Sequence, residues 1–248
     1  MKRSPIAALA CALAVAMPGA APAQRSAGVP VLMYHRVDAV LPADAVGRDL
    51  TVEPAAFEAQ LRLLRDRGIR TLTAEELARD MAHGSLPSRA IVLTFDDGYD
   101  DAATTALPLL VKYGARGTFY VSSGFVGTPR HLSWKQIRAL RAAGMEVACH
   151  GTFHLDLSTL DRAGQLREAG GCMKRFAHYL GGPPPVTYAY PAGKFDATTL
   201  ELMRSLGIIA AFSERPGVVK DLSQAYDEPR LRVRHDDSTE QFGALAAP

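Results

Sequence analysis

The stretch Ile91-Val92-Leu93-Thr94-Phe95-Asp96-Asp97-Gly98-Tyr99-Asp100-Asp101 is an apolar run that ends abruptly in carboxylates. Its first five residues have the length and the apolar character of a fully buried strand. Such a strand, followed at once by Asp96 and Asp97, brings two negative charges to the edge of a protein core, where unpaired charge is costly. The sequence therefore predicts that other groups converge on this point and compensate the two carboxylates.

Short apolar runs and helical patterns alternate about seven times along the chain. The predicted strands cover 29–34, 69–72, 90–95, 117–121, 145–149, 186–190, 208–212 and 231–233. Helices are predicted between them over 54–67, 74–83, 102–113, 134–143, 161–180 and 197–206, with a short one at the C-terminus. This alternation predicts a single domain, residues 24–248, in which crossover helices join parallel strands.

We predict an α/β barrel, closed or nearly closed, and an open doubly wound sheet is the alternative. The reason is the position of polar residues: His35, Asp96, Asp97 and His150 lie at or just after the ends of predicted strands, and so does Pro191. In a barrel the carboxyl ends of the strands meet at one rim, where catalytic residues lie.

The segment His150-Gly151-Thr152-Phe153-His154 places two histidines four residues apart. An isolated pair at this spacing is more typical of solvated loop histidines. With Asp97, however, the pair supplies two nitrogens and one oxygen, which suits a divalent transition metal such as zinc with one position open for water. Asp96 beside that centre is then the predicted general base, which accepts a proton from the activated water.

The pair Asp97-Gly98 is also typical of a tight hairpin turn. The residues after it have a helical rather than an alternating pattern, so a hairpin is disfavoured. Asp100 and Asp101 are interpreted as first-turn acids that the helix dipole favours, not as catalytic groups.

Thr94–Gly98 and His150–His154 resemble the first two motifs of the polysaccharide deacetylase (NodB-homology) family of carbohydrate esterases. Two flanking segments also match the family pattern, namely Val29-Pro30-Val31-Leu32-Met33-Tyr34-His35 and Tyr188-Ala189-Tyr190-Pro191-Ala192-Gly193. The resemblance extends over 29–233. It implies a distorted (β/α)7-type barrel. It also implies that Asp97, His150 and His154 bind one divalent metal, zinc or alternatively cobalt or nickel, and that Asp96 is the catalytic base.

Two departures from the family pattern affect the predicted site. The usual acid, a histidine in a late Leu-x-His motif, is absent. The sequence resembles instead the poly-N-acetylglucosamine deacetylase branch, which carries a Tyr-His element on its first strand. This resemblance assigns His35 as the acid. The arginine that pairs with the base in many relatives is replaced here by Tyr188 and Ala189. Arg232 or Arg230 is expected to replace it, and we select Arg232; a simple exposed arginine is the alternative.

Tyr190, Pro191 and Ala192 are expected to contact the substrate, with the backbone N–H of Ala192 directed at the oxyanion. The resemblance implies a metal-dependent hydrolase that removes N-acetyl groups from an N-acetylglucosamine polymer and releases acetate. Poly-β-1,6-N-acetylglucosamine is favoured, and peptidoglycan and chitin stay open. The alternatives are an O-acetyl esterase of the acetyl-xylan type and an inactive sugar-binding relative. Trp134, Tyr99 and Tyr190 are candidates for stacking on sugars, and Trp134 could equally pack in the core.

The first 23 residues are predicted to be a signal peptide. Lys2 and Arg3 precede an apolar run from Ile6 to Met17, and Ala21-Pro22-Ala23 is a small-residue cleavage pattern. A lipoprotein signal at Cys11 is the disfavoured alternative. No other apolar run reaches the roughly 20 residues of a membrane span, so we predict an exported protein, periplasmic or extracellular.

Charge and cysteine content limit the partners and the compartment. Without Lys2 and Arg3, 26 of the 28 basic residues remain against 26 acidic ones, which does not suggest nucleic-acid binding. A monomer that acts on an acetylated polysaccharide is expected. Cys149 and Cys172 remain after processing, and the sequence does not decide whether they pair.

Overall fold

A computed structural model describes residues 28–247, so the predicted signal peptide lies outside the described residues. The strands are β1 (Val31–Tyr34), β2 (Arg36–Val37), β3 (Thr51–Val52), β4 (Arg70–Leu72), β5 (Ala90–Phe95), β6 (Thr118–Val121), β7 (Glu146–Cys149), β8 (Thr187–Ala189), β9 (Ala210–Phe212) and β10 (Leu231–Arg232). Eight of them form one parallel sheet in the order β10-β1-β5-β6-β7-β8-β9, with β4 paired to β5, while β2 and β3 form a separate parallel pair.

Helices connect the strands and cover the outside of the sheet. They are α1 (Ala45–Asp49), α2 (Pro54–Asp66), α3 (Ala74–Ala82), α4 (Leu107–Lys112), α5 (Trp134–Ala142), α6 (Arg162–Gln165), α7 (Gly171–Leu180), α8 (Ala197–Ser205) and α9 (Thr239–Leu245). Two π-helical turns, Ala102–Ala106 and Leu166–Gly170, continue into α4 and α7. None of the helices within residues 28–247 is long and apolar enough to cross a membrane.

The parallel sheet curls into a distorted barrel. Its two end strands, β9 and β10, do not pair with each other; the chain between them runs beside β9, where Ser213 N donates to Glu228 O at 3.0 Å. The predicted α/β fold of the distorted (β/α)7 type is therefore confirmed, and the doubly wound alternative is excluded.

Both faces of the sheet are buried, as parallel sheets require. A hydrophobic cluster fills the barrel interior, and most of its side chains are small or branched, including Val31, Val92, Ala148 and Ala189. Helix α3 packs against this cluster. A capping box starts α3: Thr73 Oγ1 accepts a hydrogen bond from Glu76 N at 3.1 Å, and Thr73 N donates to the Glu76 carboxylate at 2.9 Å.

The region from His35 to Leu50 is more structured than the sequence indicates. No strand or helix is predicted between residues 34 and 54, but the structure contains α1 and β2 there, and β3, the partner of β2, follows at Thr51–Val52. Elements of two to five residues are too short to show a hydrophobic period, and so the pattern does not reveal them.

The carboxyl group of Glu228, in the segment beside β9, is expected to make the free energy of unfolding depend on pH. Its side chain is buried, and its Oε1 has no hydrogen-bond partner among residues 28–247. Burial, reinforced by the negative charge of Asp221, raises its pKa to about 8. The folded protein keeps a proton that the unfolded chain releases above about pH 4.3, so this group makes the free energy of unfolding fall as pH rises towards 8.

We expect Glu228→Gln to reduce that fall substantially, because the amide mimics the protonated acid and does not ionise. Urea unfolding at pH 5 and at pH 8 measures the difference. The exposed Glu201→Gln is the matched control and should leave the difference as in the wild type. A Glu228→Gln protein with the pH dependence of the wild type would contradict the argument.

Candidate metal centre and active site

The predicted site residues meet at the carboxyl rim of the barrel. His35 follows β1, Asp96 and Asp97 follow β5, and His150 follows β7. Because β1 and β5 are direct neighbours and only β6 separates β5 from β7, these residues reach the same opening. This arrangement agrees with the rim predicted from the strand ends.

Asp97, His150 and His154 form a compact cluster in which the three potential ligand atoms lie within 4.8 Å of one another. Asp97 Oδ1 is 3.5 Å from His150 Nε2 and 3.4 Å from His154 Nε2. Ligands about 2.0 to 2.1 Å from a tetrahedral zinc ion are separated by about 3.3 to 3.4 Å. Among the described residues, none forms a hydrogen bond with the buried Asp97 Oδ1. The cluster therefore fits a divalent metal.

The ring of His150 is fixed in the tautomer that a metal requires. Its Nδ1 donates to the Ala189 carbonyl at 2.8 Å, which leaves Nε2, the atom facing Asp97, as the free acceptor. Burial lowers the pKa of His150, against the opposing effect of the Asp96 and Asp97 carboxylates. A neutral imidazole is the form that binds metals.

Three non-glycine residues at the rim adopt the left-handed backbone region: Asp97 at φ 73°, His154 at φ 57° and Ala192 at φ 51°. Such conformations are uncommon outside glycine and are concentrated at functional sites. Gly98 continues the turn at φ 84°, and a Cβ there would lie 2.8 Å from a Val121 side-chain carbon. The turn after β5 therefore requires glycine at position 98.

Glu168, in the π-helical turn before α7, holds the loop that carries the two histidines. Its Oε1 accepts hydrogen bonds from Phe153 N at 2.7 Å and Leu155 N at 3.1 Å. The sequence predicts only a long helix here, because nothing in a helical pattern marks a buried glutamate that bonds to a distant loop. Cys149 and Cys172, whose pairing the sequence leaves open, form a disulfide that joins β7 to α7.

Asp96 is buried and makes a two-pronged ion pair with Arg230. Nη1 and Nη2 of Arg230 donate to Oδ1 and Oδ2 of Asp96, both at 2.8 Å. Burial alone would raise the pKa of Asp96, but the guanidinium outweighs it and holds that pKa well below its usual range. Asp96 Oδ2 also lies 3.9 Å from His150 Nε2, so the carboxylate borders the metal cluster.

The selection of Arg232 as the partner of Asp96 is wrong, because Arg232 pairs with the partly exposed Glu214. The reason is depth in the barrel. Arg232 is in register with Met33 on β1, whereas Arg230 precedes β10 and lies deeper. Arg230 is also fully buried, which excludes the alternative of a simple exposed arginine.

His35 is buried at the end of β1. Burial lowers its pKa, while the charges of Asp97 and Asp96 act in the opposite direction and those of Arg232 and Arg230 add to the lowering. The imidazole therefore shares one electrostatic environment with both carboxylates, as expected for a group beside the cluster.

The turn after β8 agrees with the expectation only in part. Ala192 is exposed, and Pro191 lies over the loop at Gly151. Tyr190 is not placed to contact a substrate: its ring is fully buried, stacks on Phe195 and donates its hydroxyl to Tyr226 O at 2.9 Å. Trp134 stacks on Tyr179 with ring centres 4.4 Å apart, which supports its packing role.

Fold and site together define an α/β barrel with a His-His-Asp cluster and a buried carboxylate at its rim. The model of the family "Polysaccharide deacetylase" matches residues 83–211. The chain therefore belongs to the polysaccharide deacetylase family, which makes it a hydrolase of acetylated sugars.

Several known proteins are similar to this chain over most of its length. The deacetylase PplD of Streptococcus pyogenes, solved in complex with acetate, is 28% identical with a TM-score of 0.82, covering 89% of this chain and 99% of PplD. IcaB of Ammonifex degensii is 29% identical with a TM-score of 0.76, covering 89% and 97%. The poly-beta-1,6-N-acetyl-D-glucosamine N-deacetylase of Staphylococcus aureus is 24% identical over 202 residues, 76% of this chain and 70% of that protein.

Proposed function

We propose that this protein is a metal-dependent N-deacetylase that acts on N-acetylglucosamine polymers and releases acetate. The observation that carries the proposal is the Asp97, His150 and His154 cluster, whose ligand spacing fits a divalent ion, with the ionised Asp96 beside it. The name of the Staphylococcus aureus relative favours a β-1,6-linked polymer. Peptidoglycan and chitin are the other substrates to be tested.

Each rim residue has a defined task in the proposed hydrolysis of the acetamide. Asp97, His150 and His154 would hold the ion, zinc or in its place cobalt or nickel. When bound, the ion acts as a Lewis acid on the acetyl carbonyl and lowers the pKa of water at the site.

Proton transfer is assigned to two side chains. Asp96, kept ionised by Arg230, accepts a proton from the water that attacks the acetyl carbon. His35 acts in its protonated form, which burial disfavours and the neighbouring charges of Asp97 and Asp96 favour. It donates its proton to the sugar nitrogen as the C–N bond breaks, so the products are acetate and a free amine. The backbone N–H of Ala192, an exposed residue of the rim, donates to the oxygen that becomes negative.

The chain is also proposed to act outside the cytoplasm. Residues 1–23 have the pattern of a signal peptide. The disulfide between Cys149 and Cys172 supports the same conclusion, because such bonds persist in oxidising compartments. We propose the periplasm or the extracellular space as the location.

The function is tested by measuring acetate released from β-1,6- and β-1,4-linked N-acetylglucosamine pentamers. We expect release that a chelator abolishes and zinc restores, and about one metal ion per chain in elemental analysis. His154→Gln should lose the metal and the activity together, because it removes one of three ligands. His83→Gln, at an exposed histidine outside the cluster, is the matched control and should retain both.

Two results would contradict this assignment. Acetate release from acetyl-xylan but from neither pentamer would indicate an O-acetyl esterase. Binding of the pentamers without acetate release, in a protein that carries no metal, would indicate a sugar-binding relative without catalysis.

A further inference from the structure

A row of four rings lies along one side of the candidate metal centre, and we name Tyr99, His131, Phe125 and Phe153 the aromatic row. Tyr99 stacks on His131 with ring centres 5.3 Å apart and an interplanar angle of 22°. His131 contacts Phe125 at 5.2 Å, and Phe125 contacts Phe153 at 6.3 Å. The row therefore extends from the loop after β5 to the loop after β7.

The aromatic row is anchored to both loops that carry the metal cluster. Tyr99 comes two residues after Asp97, and Phe153 lies between His150 and His154 in the sequence. The loop after β6, which carries the other two rings, is hydrogen-bonded to both. Its Gly124 N donates to Thr152 O at 2.7 Å and its Leu132 N to Gly98 O at 2.9 Å. The rings therefore have a fixed position relative to the metal cluster.

Phe153 is the most exposed ring of the row. Its side chain is 55% exposed, although it follows directly on the buried Thr152. The ring lies so closely over Gly124 that a Cβ at that position would be 2.5 Å from Phe153 Cε1. The Cδ1–Cε1 edge of the ring thus lies against Gly124, while about half of the residue is open to solvent. Aromatic side chains commonly line ligand sites, so an exposed phenylalanine with a fixed position beside the candidate metal centre is a candidate for contact with a ligand.

We propose that the aromatic row, through its exposed Phe153 ring, binds a pyranose ring that flanks the reacting sugar, so that the protein selects a polymer chain over a single N-acetylglucosamine. This inference rests on the proposed function. A pyranose offers an apolar C–H face for a ring such as Phe153 and hydroxyl groups around its edge. The row offers a matching mixture, because His131 and Tyr99 have polar atoms beside the two phenylalanines.

The neighbourhood of the row agrees with a sugar as the occupant. The row is continuous with the cluster that would hold the acetyl group, so one polymer chain can contact both. At its other end the buried guanidinium of Arg36, which pairs with Asp38, lies over the Tyr99 ring, 4.9 Å from the ring centre. The hydroxyl groups of a sugar chain can pair with the polar atoms of Tyr99 and His131, whereas an acyl chain cannot.

The test compares Phe153→Leu, which keeps an apolar side chain but removes the ring, with Phe153→Tyr, which keeps the ring. Acetate release is measured from N-acetylglucosamine and from its β-1,6- and β-1,4-linked pentamers. We expect Phe153→Leu to lower the ratio of pentamer to monosaccharide kcat/KM about tenfold, chiefly through KM, as loss of one stacking contact predicts. Phe153→Tyr should restore the ratio, and the remote Tyr179→Ala should leave it unchanged.

Calorimetric affinity for the pentamers is measured in parallel and separates two kinds of failure. Pentamer binding that weakens in Phe153→Leu, in a protein that releases no acetate, would support the aromatic row and overturn the proposed catalysis. Acetate release with an unchanged ratio and an unchanged affinity in Phe153→Leu would overturn the aromatic row and leave the proposed catalysis intact.

Discussion

Asp96→Asn is expected to lower kcat for deacetylation by at least about a hundredfold, the usual loss when a general base is removed. The asparagine amide has the shape of the carboxylate but does not take up a proton. Asp96 is held in place by two 2.8 Å hydrogen bonds from Arg230, which fix the position of the base in the wild type. Initial rates of acetate release from a pentamer measure the loss.

Metal content distinguishes loss of the base from loss of the site. Asp96 is not one of the three clustered ligand residues, so Asp96→Asn should still bind about one ion per chain. Asp100→Asn, in the same acidic stretch but outside the cluster, is the matched control and should keep nearly full activity. Undiminished acetate release by Asp96→Asn with its metal retained would refute the assignment of the base.

Much of the fold follows from local signals in the sequence. The apolar run 91–95 is a fully buried strand in the structure, and the helix predicted over 74–83 is present as α3. These features depend on neighbouring residues alone, and therefore they can be read from the sequence. The grouping of Asp97 with His150 and His154 follows from one added assumption, that strand ends meet at a barrel rim.

The partner of Asp96 depends on depth within the barrel, which local patterns do not encode. Arg230 and Arg232 have the same chemistry and lie two residues apart, and only the register of β10 against β1 separates them. The role of Tyr190 also depends on its depth. This residue belongs to the segment 188–193, which resembles a family motif, yet its ring packs in the hydrophobic core. Local patterns do not predict the aromatic row either, because its rings come from three separate loops.

Arg230→Met is expected to lower the free energy of unfolding of the metal-free protein by about 3 to 5 kcal/mol, the cost of leaving one charge of a buried pair uncompensated. Arg230 is fully buried, and Asp96 is 1% exposed. The guanidinium also donates to Thr94 Oγ1 at 3.2 Å and to Ser213 O at 3.0 Å. Its loss therefore leaves several polar atoms without a partner. Urea unfolding at pH 7 measures the change.

The matched control is Arg232→Met, because the pair of Arg232 with Glu214 is partly exposed and such pairs contribute up to about 1 kcal/mol. Acidification provides a second check. Since Arg230 lowers the pKa of Asp96, the stability from this pair is present above about pH 3.9 and is lost as pH falls below it. In Arg230→Met, Asp96 can take up a proton, so the destabilisation should shrink as the assay pH approaches 4.

A double-mutant cycle identifies Asp96 as the charge responsible. If the cost of Arg230→Met comes from the stranded carboxylate, then Asp96→Asn combined with Arg230→Met should be less destabilised than Arg230→Met alone, since no buried charge remains. Strictly additive effects of the two substitutions would mean that Arg230 stabilises the barrel only through packing and its bonds to Thr94 and Ser213. In that case the arginine would have no specific part in keeping the base ionised.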